Sequence, residues 1–251
     1  MGYLRGYFEF DASNAVVRRT DFTNCQRPVL LLYGFMSTRR VLAVLEHRLR
    51  RDQFCVWSIN LGGWRDAFNT NAIDITAERV REKIERLYQR YPQMGPLSII
   101  GHSKGGIIGT YYVKRLGGDA RVKNLVTLGS PHNGSPTAYF GVVTHGLISR
   151  SIWQLTPMSP FISRLKMGAF PKDVRFTSIF SKSDRVNPFP SCLLENEYGA
   201  SNIANIEIAD VKHRDFVTSR TVYQVVRREL FTGYGLPVAA EPRSRRLIPL
   251  R

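Results

Sequence analysis

The sequence predicts an α/β protein, with one mostly parallel central sheet and helices on both faces. Three observations carry this. First, short apolar runs (28–33, 54–59, 97–100, 122–128, 174–180 and 205–209) alternate with stretches of helical spacing. That rhythm implies parallel strands joined by right-handed crossovers. Second, one run stops abruptly at Gly101-His102-Ser103-Lys104-Gly105, and a helix-compatible run follows. Third, the alternation breaks over 136–170, a stretch rich in large apolar groups and punctuated by proline and glycine. The chain has 251 residues, 43% of them apolar or aromatic, enough for one sizeable core.

The elements follow in order. Residues 1–27 form an N-terminal segment whose Tyr3, Tyr7, Phe8 and Phe10 either pack on the domain or make a short edge strand; no function is assigned to it. Pro28–Tyr33 is continuously apolar, as in a strand covered on both faces. Gly34-Phe35-Met36 then turns the chain, and Ser37 is placed to cap a helix running to about Arg51, with Val41, Leu42, Leu45 and Leu49 on one side. Phe54–Ile59 is the next strand, and Ile75–Tyr91 the next helix, stopped by Pro92. Leu97–Ile100 is a buried strand, and the helix after it ends at Gly117-Gly118. Strands at Val122–Leu128, Val174–Phe180 and Asn205–Ala209 complete the sheet, and a helix over Phe216–Leu230 closes the domain. The organisation is therefore a domain over 28–230, with an insertion at about 136–170 that caps an apolar pocket. A basic, proline-containing tail covers 231–251.

Strand, G-x-S-x-G and helix in succession read as a nucleophile elbow. The glycines let neighbouring elements close on a strained serine, and the helix N-terminus faces developing negative charge. Serine needs a base, and the base a carboxylate. In a parallel sheet the strand C-terminal ends share one edge, so distant residues converge there. Ser103, Asp184 and His213 each stand just past a strand, in the order Ser, acid, His. The backbone N–H groups of Phe35 and Lys104 are the natural oxyanion donors. The competitors are weaker. His47 is a surface residue in mid-helix, and His102 points away from the reaction side of its serine. His132 is placed to shape the site, and His145 falls in the cap. Asp210 and Asp215 stand near His213 in sequence and read as surface or cap residues.

The formal charge is +16, from 36 basic and 20 acidic residues. The basic residues are spread along the chain. Solvated helix faces account for them first and peripheral association with an anionic membrane second; no nucleic-acid partner is expected. No apolar stretch is long enough to span a bilayer, and residues 1–11 lack a signal-peptide core. The three cysteines, Cys25, Cys55 and Cys192, are widely spaced and form no metal pattern. They read as free thiols in a reducing compartment, which places the protein in the cytoplasm. No cofactor motif is present.

Several segments together resemble the lipase-type branch of the α/β-hydrolase family, in particular bacterial triacylglycerol lipases and esterases. They are Tyr33-Gly34-Phe35, Gly101 to Gly106, Val126 to Gly134, Ser181 to Val186, and His213. The likeness covers about 28–230. It implies the α/β-hydrolase fold with a mobile cap, and a Ser103–Asp184–His213 triad acting on carboxylic esters with oxyanion donors at Phe35 and Lys104. Two positions depart from the pattern. Tyr33 stands where lipases usually carry histidine, and Lys104 follows the nucleophile, where its charge favours acidic or anionic-lipid substrates. The expected activity is an intracellular esterase on an apolar acyl ester. The alternatives are an acyltransferase using the same triad, or a non-catalytic scaffold that binds a membrane or partner.

Overall fold

A computed structural model of the chain describes residues 20–66, 68–140, 149–196 and 199–237. The expectations for Tyr3, Tyr7, Phe8 and Phe10, for His145 and its neighbours in the cap, and for the end of the tail lie outside these residues.

The apolar runs form a single six-stranded sheet. Its strands are β1 (Pro28–Leu32), β2 (Cys55–Ser58), β3 (Leu97–His102), β4 (Val122–Leu128), β5 (Arg175–Phe180) and β6 (Ile203–Glu207). Their order is β2-β1-β3-β4-β5-β6, and every pairing is parallel. The order reverses between β1 and β3, so the loops leaving these two strands diverge and open a crevice at their C-terminal ends. The loop with Gly34 and the elbow with Ser103 both emerge there. Residues of β1 and β3 are buried throughout, which explains their unbroken apolar runs.

The principal helices are α1 (Ala43–Arg51), α2 (Ile73–Arg90), α3 (Lys104–Arg115), α4 (Arg150–Gln154), α5 (Pro160–Lys166), the short α6 (Phe189–Cys192) and α7 (Arg220–Gly233). Leu45 and Leu49 of α1 are buried as their spacing requires. Ser37 does not cap this helix: a 3-10 turn, Arg39–Leu42, intervenes, and the Ser37 hydroxyl has no partner among the described residues. Helix α2 begins two residues earlier than its own sequence suggests. The reason is tertiary, because the Gln154 side chain accepts the Ile73 N–H at 2.6 Å and satisfies an orphan donor of the first turn. Helix α7 runs to Gly233, past the expected start of the tail. Beyond it the Tyr234 hydroxyl lies 3.1 Å from the carbonyls of Pro28 and Pro96.

In the insertion, Ile152, Phe161, Ile162 and Leu165 are buried, and Phe161 stacks on Tyr111 of α3 at 5.2 Å between centroids. Trp153, Met158 and Met167 face outward.

The cysteines correct an expectation. Cys25 and Cys55 form a disulfide, and only Cys192 is free and buried. The sheet explains the pairing. Pro28 registers against Cys55, so the chain entering β1 passes beside the start of β2. A sequence separation of 30 hides this closeness. The thiol argument for a reducing compartment goes with it, since such bonds persist in oxidising ones. Among the described residues no helix is long and apolar enough to cross a membrane.

Candidate active site

Ser103 sits between β3 and α3 at φ 54° and ψ −126°, a conformation that side chains rarely adopt and that costs on the order of 1–3 kcal/mol. The neighbouring glycines make it reachable. A Cβ on Gly105 would lie 2.2 Å from the Leu32 carbonyl oxygen, and one on Gly101 2.4 Å from the Gly106 Cα. The elbow is held as well as strained: the Ser103 N–H donates to Leu128 O at 2.9 Å. A Cβ built on Gly34 would lie 3.0 Å from the Ser103 Cβ. The turn after β1 therefore abuts the serine, and Phe35 follows immediately.

Asp184 leaves the end of β5 and is buried. Its Oδ1 accepts the N–H groups of Val186 (2.8 Å) and Asn187 (3.0 Å), and its Oδ2 lies 2.8 Å from His213 Nδ1. Gly129, at φ 53°, makes room: a Cβ there would stand 3.0 Å from Asp184 Oδ2. A carboxylate only accepts, so Nδ1 carries the proton and Nε2 of a neutral His213 is an acceptor. The His213 side chain keeps 12% of its surface exposed, against 1% for Asp184.

The other histidines separate cleanly. His47 is exposed on α1. His132 is buried and pairs with Thr127 Oγ1 at 2.9 Å; burial, with a lesser push from Lys114, holds its pKa down near 3. His102 is not turned away from the site as expected. Its Nε2 lies 2.9 Å from the His213 carbonyl, with the two rings 4.8 Å apart. Burial first, and His213 second, lower its pKa to about 3. Asp210 and Asp215 are exposed.

Lys104 also corrects an expectation. Its side chain is fully buried, and Nζ donates to the carbonyls of Asn69 (2.7 Å) and Asn71 (2.6 Å). Burial drives its pKa well below the usual lysine range. Its amine faces the protein's own main-chain carbonyls. Tyr33 is likewise structural: its hydroxyl accepts the Leu61 N–H at 2.8 Å, and burial raises its pKa to about 12. Asn69 went unnoticed in the sequence. It is buried at φ 46°, and its Nδ2 donates to the carbonyls of Tyr33 and Gly34. The sole local sign is a run of polar residues, Asn69-Thr70-Asn71, suited to a turn.

A shallow cleft opens between α3, α5 and the 193–195 loop, lined by Thr110, His132, Leu165, Phe170 and Leu194 among others. Ser103, Asp184 and His213 do not line it, so it is separate from the strand-end site. Among the described residues no cluster of three or more His, Cys, Asp or Glu is disposed to hold a metal ion.

Comparison with known proteins agrees with this architecture. A search of the curated proteins finds no match. Solved structures do match. The mature lipase BlEst2 of Bacillus licheniformis aligns with a TM-score of 0.66 at 13% identity, over 85% of this chain and 95% of its own. The lin2722 product of Listeria innocua aligns at 0.61 and 17% identity, over 82% and 94%. The monoacylglycerol lipase of Paleococcus ferrophilus aligns at 0.62 and 13% identity, over 83% and 96%. At such identities these likenesses establish the α/β-hydrolase fold. The family description "palmitoyl protein thioesterase" matches residues 28–179, more than half of the chain and including the elbow. On that match the chain belongs to the palmitoyl protein thioesterase family, a family of hydrolases.

Proposed function

We propose that the protein is a serine hydrolase of apolar acyl esters, with Ser103 as nucleophile, His213 as base and Asp184 as the carboxylate that holds the base. The observation that carries this reading is the 2.8 Å contact between His213 Nδ1 and Asp184 Oδ2, on the same sheet edge as a serine held at φ 54°. Ser103 Oγ attacks the acyl carbonyl while His213 Nε2 takes its proton. The tetrahedral oxyanion is met by the N–H groups of Phe35 and Lys104 at the N-terminus of α3. The protonated imidazole, stabilised by Asp184, gives its proton to the leaving group. Water then repeats the sequence on the acyl-enzyme, releasing the acid and restoring Ser103. Exposed Trp153, Met158 and Phe140, carried by the insertion, support an apolar acyl chain as the substrate's recognised part.

The family match favours a second bond type. Its description names thioesters, so the leaving group is a thiol as readily as an alcohol. The same constellation serves both, because the chemistry at the carbonyl is shared.

Hydrolysis of p-nitrophenyl esters from two to sixteen carbons, alongside S-acyl thiols of matching length, tests the reading. Turnover that rises with chain length and falls on the order of a millionfold in Ser103→Ala is expected. No turnover of either series by the wild-type protein would overturn it. Release of transfer product instead of free acid, with a competing alcohol or thiol present, would make the protein an acyltransferase.

A further inference from the structure

The residue after the nucleophile buries an amine at a place where an apolar side chain would be cheaper. Lys104 Nζ spends two of its hydrogens on main-chain carbonyls, Asn69 O at 2.7 Å and Asn71 O at 2.6 Å. No ion pair of Lys104 exists among the described residues to offset its desolvation. Nζ also lies 5.8 Å from the centroid of the Phe35 ring. Asn69 continues the connection. Its Nδ2 donates to Tyr33 O (2.7 Å) and Gly34 O (3.2 Å). Gly34 in turn packs on Ser103, whose Cβ is 3.0 Å from the position a Gly34 Cβ would take. The contacts close a circuit: Ser103, Lys104, Asn69, Gly34, and back to Ser103. Phe35 and Lys104, the two residues whose N–H groups face the oxyanion in the proposed function, lie on or beside it.

Two donors on different segments, a turn and a helix N-terminus, stabilise an oxyanion only while their separation is fixed, since donors must stand about 2.7–3.1 Å from the developing charge. The turn after β1 has no regular element to hold it, and Met36 within it is at φ 49°. A long side chain reaching out of the first turn of α3, and an amide reaching back to Gly34, supply that constraint from a buried polar position. We propose that Lys104, through its side chain, and Asn69 are positioning residues that set the gap between the Phe35 and Lys104 N–H groups. This rests on the serine-hydrolase reading and adds to it the device that holds its oxyanion site.

The test uses the full-length protein with Lys104→Met, Asn69→Ala and the double variant. Methionine keeps the reach and volume of the lysine stem without its donors. The expected result is a fall in kcat of about ten- to a hundredfold in each single variant, with KM within about threefold of wild type. The inhibition constant of an alkyl boronic acid, whose tetrahedral adduct mimics the intermediate, should rise by the same factor. The double variant should lose little more than the worse single one, because both cut one circuit. Retention of kcat within about threefold in a folded variant would overturn the proposal. So would single losses that multiply, or a loss in kcat without a matching change in boronate affinity. Melting curves identify a folded variant; if one fails to fold, the other decides, and unfolding of both would make the circuit a folding element and reject the positioning role. Failure of the underlying reading is distinguishable, because the wild-type protein would then neither turn over esters nor bind the boronate.

Discussion

The His102 ring holds the backbone of His213: its Nε2 lies 2.9 Å from the His213 carbonyl oxygen, across 111 residues of sequence. A carbonyl only accepts, so Nε2 carries the proton and Nδ1 is a bare lone pair, without a partner among the described residues. The residue before Ser103 thereby fixes the loop that carries His213, the base of the proposed mechanism. Replacing it with leucine removes that donor and leaves Ser103, Asp184 and His213 untouched. Ester turnover should fall about ten- to a hundredfold, the scale of a base misplaced by a fraction of an ångström to an ångström. His102→Gln, which keeps an N–H donor, should recover part of the loss. Steady-state kcat for the three proteins checks this, and equal values would remove the link.

The glycines of the elbow differ in what they meet. A methyl group on Gly105 meets main-chain atoms of Leu32 and Tyr33 at 2.2–2.9 Å, and β1 cannot retreat from a buried sheet. Gly105→Ala should therefore destabilise the protein by at least the 1–3 kcal/mol of ordinary overpacking. At Gly117 nothing lies within 4 Å, but φ is 71°. There an alanine should cost only the backbone term, about 1 kcal/mol. Urea unfolding midpoints of the two variants give the order; a Gly117 variant weaker than the Gly105 variant would contradict it.

The disulfide closes a loop of 30 residues between the approach to β1 and the start of β2. By the loop-entropy relation it contributes about 3–4 kcal/mol. Thiol titration of the denatured, unreduced protein should find one thiol, Cys192. Reduction should lower the denaturation midpoint correspondingly. A count of three thiols in protein purified without reductant would show that the bond does not form.

Acid should unfold the protein through its buried histidines. His102 and His132 both have folded pKa values pushed to about 3, chiefly by burial. Their unfolded values are near 6.5. Between these limits the unfolded chain binds more protons than the folded one. The stability these two neutral rings carry is thus complete above about pH 6.5 and is lost as pH falls toward 3. Each proton contributes a slope of up to about 1.4 kcal/mol per pH unit. Denaturation midpoints measured from pH 8 to pH 4 should decline, and less steeply in His132→Gln. An unchanged slope in that variant would place the acid sensitivity elsewhere.

The segments that hold Ser103, Asp184 and His213 are legible in the sequence because each follows an apolar run that ends abruptly. Leu97–Ile100 runs into Gly101, and the apolar run ending at Phe180 stops at Ser181. The strand near 205–209 stops before His213. Parallel pairing then does the convergence, and Asp184 meets His213 without any local sign of their partnership. What stays hidden depends on contacts between distant segments. Cys25 reaches Cys55 through sheet register, and Gln154 caps α2 from the insertion. His102 turns toward His213, and Lys104 disappears beneath the 69–71 loop. A lysine beside a nucleophile reads from sequence as a charge offered to substrate; only its burial shows that it faces the protein's own carbonyls.

Covalent capture by a fluorophosphonate tests the central claim most directly, because it asks one hydroxyl to react as an activated nucleophile. Intact mass and peptide mapping of the folded protein should show a single adduct on Ser103, lost in Ser103→Ala and after denaturation. A native protein that takes no adduct at this serine, or takes it elsewhere, would contradict the account.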